Sequence, residues 1–228
     1  MLSLAYVQSV CLKMTAIHYP CQETSCMYVK IIMPPKQTKA EQAFRTQRAI
    51  LDRARHLFST QGYAATGTAE IIGELAVTRG ALYHHFKDKS GLFAAVVAEA
   101  YRDVSDYINA QVQAIDDPWE QLIFGCQSFL EVVQQDDLRR LLLIEAPAVL
   151  SAEALMEFDQ YGFGLLQASI QDLVQSGQLQ TIDSEGFSHL VNGALNELAT
   201  WIAQADHHDR LETAKKLIEV LLTHHRKT

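Results

Sequence analysis

The sequence predicts an all-α protein in two parts, a small N-terminal three-helix unit and a larger helical body, and three observations predict it. Apolar residues recur at i, i+3, i+4 and i+7 through most of the chain, the spacing of one helical face. No run alternates with period two for long enough to make a strand. Helix caps and breakers, such as Gly62, Asp88, Pro118 and Pro147, fall between the periodic stretches at intervals suited to helices.

From about Arg45, Ile50, Ala54, Leu57 and Phe58 mark one face, and Gly62 ends the helix in a left-handed cap. A second helix fits Thr68 to Leu75, with Gly67 as cap, Glu70 placed as in a capping box, and Ile71, Ile72 and Leu75 inward. Gly73 inside it costs roughly 1 kcal/mol against alanine. After a three-residue turn, Thr78 caps a third helix, Arg79 to Phe86, whose inner stripe is Leu82 and Phe86. Asp88 caps a fourth, which runs through Leu92, Val96, Val97 and Tyr101 toward Asn109; Gly91 in its first turn is expected to soften the joint. Then follow Pro118–Gln135, begun by a proline, and Asp137–Val149, which Pro147 should end or kink. Ala152–Gln175, Glu185–Ala205 and Arg210–His225 complete the set, separated by "QSGQLQTIDS" and "QADHHD".

With 228 residues, 48% of them hydrophobic, the chain can bury a sizeable core. Lys13 interrupts the apolar beginning, no stretch is long enough to span a bilayer, and no basic segment or cleavage site marks a secretory leader. No membrane association and a cytoplasmic location are therefore expected. Cys11, Cys21 and Cys26 lack the close spacing of zinc ligands, and Cys126 suits a buried, unreactive thiol better than a redox sensor. Residues 1–32 show no sustained period and read as a disordered extension. Translation could begin at Met1, Met27 or Met33.

The net charge of −8 hides an asymmetry. Residues 33–92 hold nine Lys/Arg against five Asp/Glu, a net of +4, whereas residues 93–228 hold eight against 21, a net of −13. A basic reader of polyanion joined to an acidic body is the natural interpretation. Residues 33–44, with Lys36 and Lys39, would form a basic arm, 45–93 the reader and 94–228 the body.

Two short helices across a tight turn form a helix-turn-helix, whose second helix enters the DNA major groove by its N-terminal end. With Leu82 and Phe86 inward, Arg79, Tyr83 and His84 face outward, while Gly80 and Ala81 allow close backbone approach. Arg79 can present two donors to guanine O6 and N7; Tyr83, His85 and Lys89 suit phosphate oxygens. A merely solvated basic face, with the aromatics at the core's edge, is the competing reading. Paired carboxylates, a Gly-rich phosphate loop and a nucleophile with its base are not evident, so neither catalysis nor a cofactor is expected.

The stretch "FSTQGYAATGTAEIIGELAVTRGALYHHFKDKSGLF", Phe58 to Phe93, strongly resembles the DNA-binding domain of TetR-family bacterial transcriptional repressors, through its F-x-x-x-G-Y-x-x-T and L-Y-x-H-F-x-x-K elements. The resemblance covers Arg45 to Phe93. It implies backbone contacts from Thr66 and Thr68, base contacts from Arg79, Gly80 and Ala81, and mainly phosphate contacts from Tyr83, His84, His85 and Lys89. Ala76, Gly67 and Ala69 depart from the glycine, serine and occasional arginine usual in that family, which puts more of the base reading on Arg79.

The resemblance also implies a ligand-binding and dimerisation domain whose last two long helices pair with a second copy. Leu190, Ala194, Leu198 and Trp201 form one stripe and Val191, Leu195 and Ile202 another, so that helix packs on two sides. In the last helix Leu211, Ala214, Ile218, Leu221 and His225 repeat beside Leu217 and Val220. The expected dimer residues are Leu190, Ala194, Leu198, Trp201, Leu217, Val220 and Leu221. A small-molecule pocket is expected among Tyr101, Trp119, Phe124, Cys126, Gln127, Phe129, Tyr161, Phe163, Asn192 and Trp201, although aromatics at helical spacing more often form ordinary core. Few basic residues in the body disfavour a highly anionic ligand. His207–His208 and His224–His225 point in different directions on a helix, so they suit solvated or capping roles better than a metal site. The resulting expectation is a homodimeric, ligand-responsive repressor on a two-fold operator. An activator, a ligand-independent regulator and an interaction protein without DNA binding are its alternatives.

Overall fold

The computed structural model describes residues 38–75, 77–180, 183–204 and 207–227, with the side chains of His207 and His208 excepted. The expected extension, Lys36 and Ala76 lie outside them. The described chain is helical: α1 Lys39–Gln61, α2 Thr68–Gly73, α3 Arg79–Phe86, α4 Lys89–Val112, α5 Pro118–Val132, α6 Asp136–Leu138, a π-helical turn Arg139–Glu145, α7 Ala146–Val149, α8 Ala152–Gln175, α9 Ser184–Ala203 and α10 His207–His224. An isolated bridge between Leu179 and Arg226 is the extended pairing among the described residues. No helix there is long and apolar enough to cross a membrane.

The caps explain most boundaries. Thr78 accepts from Ala81 N at 3.2 Å, Asp88 from Gly91 N at 2.7 Å, Asp117 from Trp119 N at 3.0 Å and Asp183 from Gly186 N at 2.7 Å, each satisfying an amide that the helix itself leaves open. α1 starts earlier than Arg45, because Thr38 and Glu41 form a reciprocal capping box. Its first turns are exposed, Phe44 included, and so carry no apolar period to reveal them. Gly62 ends α1 at φ 88° and ψ 166°, an extended glycine conformation rather than the expected left-handed cap. α2 stops at Gly73, and Gly67 caps it without a side-chain bond. Glu70 instead accepts from Gln61 Nε2 at 2.8 Å, so no capping box forms there.

Pro147 stands in the first turn of the short α7, which ends two residues later at Val149. The turns before it widen to π geometry, with Ala146 N donating to Leu141 O. Proline has no N–H to offer and its ring crowds the carbonyl four residues back; a wider turn accommodates both.

One continuous core runs from Ile50, Ala54 and Phe58 of α1 through Leu82, Leu92, Phe93 and Val97 to Leu130, Leu141, Ile170, Val191, Ile202, Ala214 and Leu222. α4 is its spine, packed against α1 at one end and against α5 and α8 at the other, while α9 and α10 lie together on the far side.

Candidate nucleic-acid interface and internal cavity

α3 buries Leu82 and Phe86 and leaves Arg79, Gly80, Tyr83 and His84 exposed. These four form the outward face that helical spacing assigned to the groove. Ala81 and His85 are half-buried beside it, and Thr68 is half-buried at the start of α2. Lys89 places its Nζ 4.2 Å from the centre of the Tyr63 ring, which packs against Phe93 at 4.9 Å and Phe58 at 5.8 Å. An ammonium over a ring that the core holds still is a fixed point charge. Thr66 is turned inward at 1% exposure; its Oγ1 donates to Gly62 O at 2.7 Å and its amide to the same carbonyl at 3.3 Å. Of the two threonines implied to touch the DNA backbone, Thr66 is thus engaged in shaping the α1–α2 connection.

The joint after α3 is tight. Lys87 has φ 64° and ψ −56°, and Asp88 N donates across it to Phe86 O at 2.8 Å, a γ-turn that is strained for a residue with a side chain. A Cβ on Gly91 would stand 2.2 Å from Phe86 O. Gly91 is therefore a close-approach residue that locks α3 onto α4, a correction to its expected role as a soft hinge.

Part of the basic excess in residues 33–92 is internal. Arg48 and Arg55 of α1 pair with Glu99 and Asp103 of α4, and Arg53 pairs with Glu74 at 3.0 Å. Arg55 also lies 3.9 Å from Asp137. Arg48 and Arg55 fasten α1 to α4 and to Asp137 of α6, and Arg53 ties α1 to the end of α2, so among the described residues the basic side chains left outside these pairs are Lys39 and Arg45 of α1 and Arg79, Lys87 and Lys89 at and beside α3.

A second fastening escaped the sequence. Arg140 NH1 donates to Thr60 O at 2.7 Å, Glu145 Oε2 accepts from Tyr63 N at 3.1 Å, and the two side chains meet at 3.5 Å. Both belong to the π turn, and both grip the backbone around Gly62. A Cβ on Gly62 would fall 2.3 Å from Glu145 Oε1 and push that carboxylate from its place, and the φ of 88° there already disfavours a side chain. The grip joins residues some 80 positions apart in sequence, which no local pattern signals.

Between α4, α5, the π turn, α8 and α9 the body holds a cavity of about 300 Å³ that opens to the surface past Gln113, Asp172 and Asn196. Of the expected pocket residues it gathers Tyr101, Cys126, Phe129 and Asn192. Burial pushes the Tyr101 phenol up to about 12, helped by the charge of Asp159, and burial alone pushes the Cys126 thiol up to about 12, so both stay protonated at neutral pH. The others lie elsewhere. Trp119 is buried under Arg226, Phe124 is exposed, and Gln127 reaches Glu219 at 3.5 Å. Tyr161 is exposed and bonds Asp106, Phe163 stacks on His189 at 4.6 Å, and Trp201 lies under Arg210 at 4.8 Å. Helical spacing brought Trp119 and Cys126 inward, but it neither told cavity from filled core nor separated Phe124 and Tyr161, which are exposed, from the inward residues.

On the outer faces of α9 and α10, Leu190, Leu217 and Val220 are 55%, 52% and 67% exposed. Ala194, Leu198, Trp201 and Leu221 are half-buried beside the core. Val191, Leu195 and Ile202, and Ala214, Ile218 and Leu222, face inward.

Two family profiles match the chain: bacterial regulatory proteins of the tetR family over residues 50–96, and a tetracyclin repressor-like C-terminal domain over residues 119–224. The crystal structure of a TetR-family transcriptional regulator from Pectobacterium atrosepticum superposes with a TM-score of 0.73 at 31% identity, covering 84% of this chain and 99% of that one. The transposon Tn10 TetC protein of Escherichia coli is 27% identical over 168 residues, 73% of this chain and 85% of TetC. The HTH-type transcriptional regulator AcrR of Shigella flexneri is 38% identical over 109 residues, 47% of this chain and 50% of AcrR.

Proposed function

The chain belongs to the TetR family of bacterial transcriptional regulators, and from that premise we propose that it is a cytoplasmic, homodimeric repressor that releases a two-fold operator when a small molecule fills the body cavity. The observation that carries this reading is the continuity of α4. Lys89 begins it beside the DNA-facing helix, and Tyr101, Val104, Ser105 and Ile108 farther along it line the cavity. A ligand that fits one tilt of α4 better than another alters the position of α3, and it can shift the equilibrium only by that difference in affinity.

The π turn offers a second route. Leu142 and Leu143 line the cavity while Arg140 and Glu145 of the same turn hold Thr60 and Tyr63. Displacing the leucines loosens the grip on the end of α1. In DNA contact, Arg79 reads bases with Gly80 and Ala81 close by, Tyr83, His84, His85 and Lys89 hold phosphates, and Thr68 touches the backbone. The exposed apolar faces of α9 and α10 pair with those of a second copy, which spaces two α3 helices for half-sites roughly 34–36 Å apart.

Selection of fragments bound by the full chain from its source genome tests this: a two-fold site is expected, occupied by two chains. Enrichment of no sequence would overturn the regulator reading. An operator complex indifferent to every molecule that enters the cavity would leave a ligand-independent regulator instead.

A further inference from the structure

The cavity's charge is one-sided. Its ionisable lining side chains on the acidic side are Asp159 and Asp172 of α8, and no Lys, Arg or His lines it among the described residues. Asp172 is exposed, whereas Asp159 is half-buried, and burial holds its carboxyl above the usual carboxylate range while a hydrogen bond from Asn192 pulls the other way. That bond, from Asn192 Nδ2 at 3.0 Å, supplies one donor to a group with about four acceptor positions. The walls around it are Val104, Ile108, Leu122, Phe129, Leu142 and Leu166, and the other polar lining groups include the neutral amides of Asn109, Gln113, Gln121 and Asn196.

Such a chamber discriminates by charge. An anionic head would meet two carboxylates and no cation. A neutral apolar ligand would strip more water from Asp159 and return nothing. A protonated amine would replace the lost hydration with a charge-assisted hydrogen bond, and Tyr101 and Phe129 in the lining add aromatic rings that attract a cation. Resting on the reading of this cavity as the ligand site, we propose that its ligand is an amphiphilic organic monocation, an amine with an apolar body, whose ammonium sits against Asp159.

The test uses the full chain without DNA and three probes that share one apolar body: phenylbutylamine, phenylbutanol and phenylbutyrate, titrated calorimetrically at neutral pH. The amine should bind about tenfold more tightly than the alcohol or better, with the carboxylate weakest. Asp159→Asn, its fold checked by circular dichroism, should bring the amine within about threefold of the alcohol while moving the alcohol by less than about twofold. Phenylbutyrate matching the amine, an amine preference that survives Asp159→Asn, or no saturable binding of the amine would each overturn the proposal. If Asp159→Asn does not fold, the order of the three probes on the wild-type chain decides. Operator release is a separate readout. Amine binding without release would retain the charge preference and overturn ligand control; release by phenylbutyrate alone would do the reverse.

Discussion

Within eight residues, Arg79 to Phe86, the reader presents its exposed polar groups from one side of a short helix, each placed by its neighbours in sequence. The cavity instead draws its lining from Tyr101 to Asn196, across five segments. The reader's outward groups sit on a clamped frame: a capped N-terminus, a γ-turn at Lys87, Gly91 against Phe86 O, and arginines tied to α4. The cavity groups surround space that the helices do not fill. An outward site can be encoded locally and must be held rigid. An inward site is a property of the packing, and its occupant can move the walls.

If the reader is clamped, one methyl group added at the clamp should disturb it more than the loss of any side chain from its outward face. Gly91→Ala places a Cβ where Phe86 O stands at 2.2 Å, and backbone cannot rotate away as a long side chain could. A stability loss of about 1–3 kcal/mol is expected, and with α3 displaced, operator affinity should fall by more than about tenfold. Urea unfolding and an operator titration measure the two. Wild-type values in both would show that the joint yields, and the contrast between clamped reader and movable body would fail.

Next in size is the division of labour between α3 and the start of α4. Arg79→Ala should relax base preference at one position of each half-site by about 1–3 kcal/mol. Lys89→Ala should weaken all sequences alike and reduce the salt slope by about one. Because Lys89 also covers the Tyr63 ring, its loss should cost about 0.5–1 kcal/mol in stability without DNA. Equal losses on operator and random DNA from both substitutions would refute the assigned roles.

Glu145→Ala tests the connection between the two regions. It removes the acceptor for Tyr63 N and the partner of Arg140. The groups are partly solvated, so about 1 kcal/mol of stability is expected to be lost. Operator affinity should change little while the ligand concentration needed for release shifts. An unchanged release curve would exclude the π turn and leave α4 as the route.

What the sequence revealed follows the same divide. Thr78, Asp88, Leu82 and Phe86 were legible because caps and stripes are written within one or two turns. The arginines of α1 were legible as charge but not as ion pairs, since Glu99 and Asp103 are brought to them only by folding. The π turn was hidden because Pro147 announces a disturbance without saying that the preceding turns will widen to absorb it. Asp159 was missed since an acidic residue on an amphipathic helix reads as surface. Its place in the spacing Leu155, Asp159, Gly162, Leu166 was the available signal, a carboxylate standing in an otherwise inward stripe.

The smallest expected effect lies at a glycine of the reader outside the clamp, Gly73. Gly73 is the last residue of α2, a Cβ there would meet nothing within 4 Å, and it is not among the glycines with positive φ. Alanine fits that backbone without strain, so its main action is on the unfolded chain, whose freedom it reduces. Gly73→Ala should therefore stabilise the protein by about 0.4–1 kcal/mol, a rise in Tm of about 1–4 °C for a chain of this length. Operator affinity should remain within about twofold of wild type, because the clamp on α3 does not pass through Gly73. A thermal melt beside an operator titration separates the two effects. A gain in stability accompanied by a tenfold loss of affinity would place the backbone of α2 against DNA too closely for a methyl group, and would extend the reading surface from α3 to the end of α2.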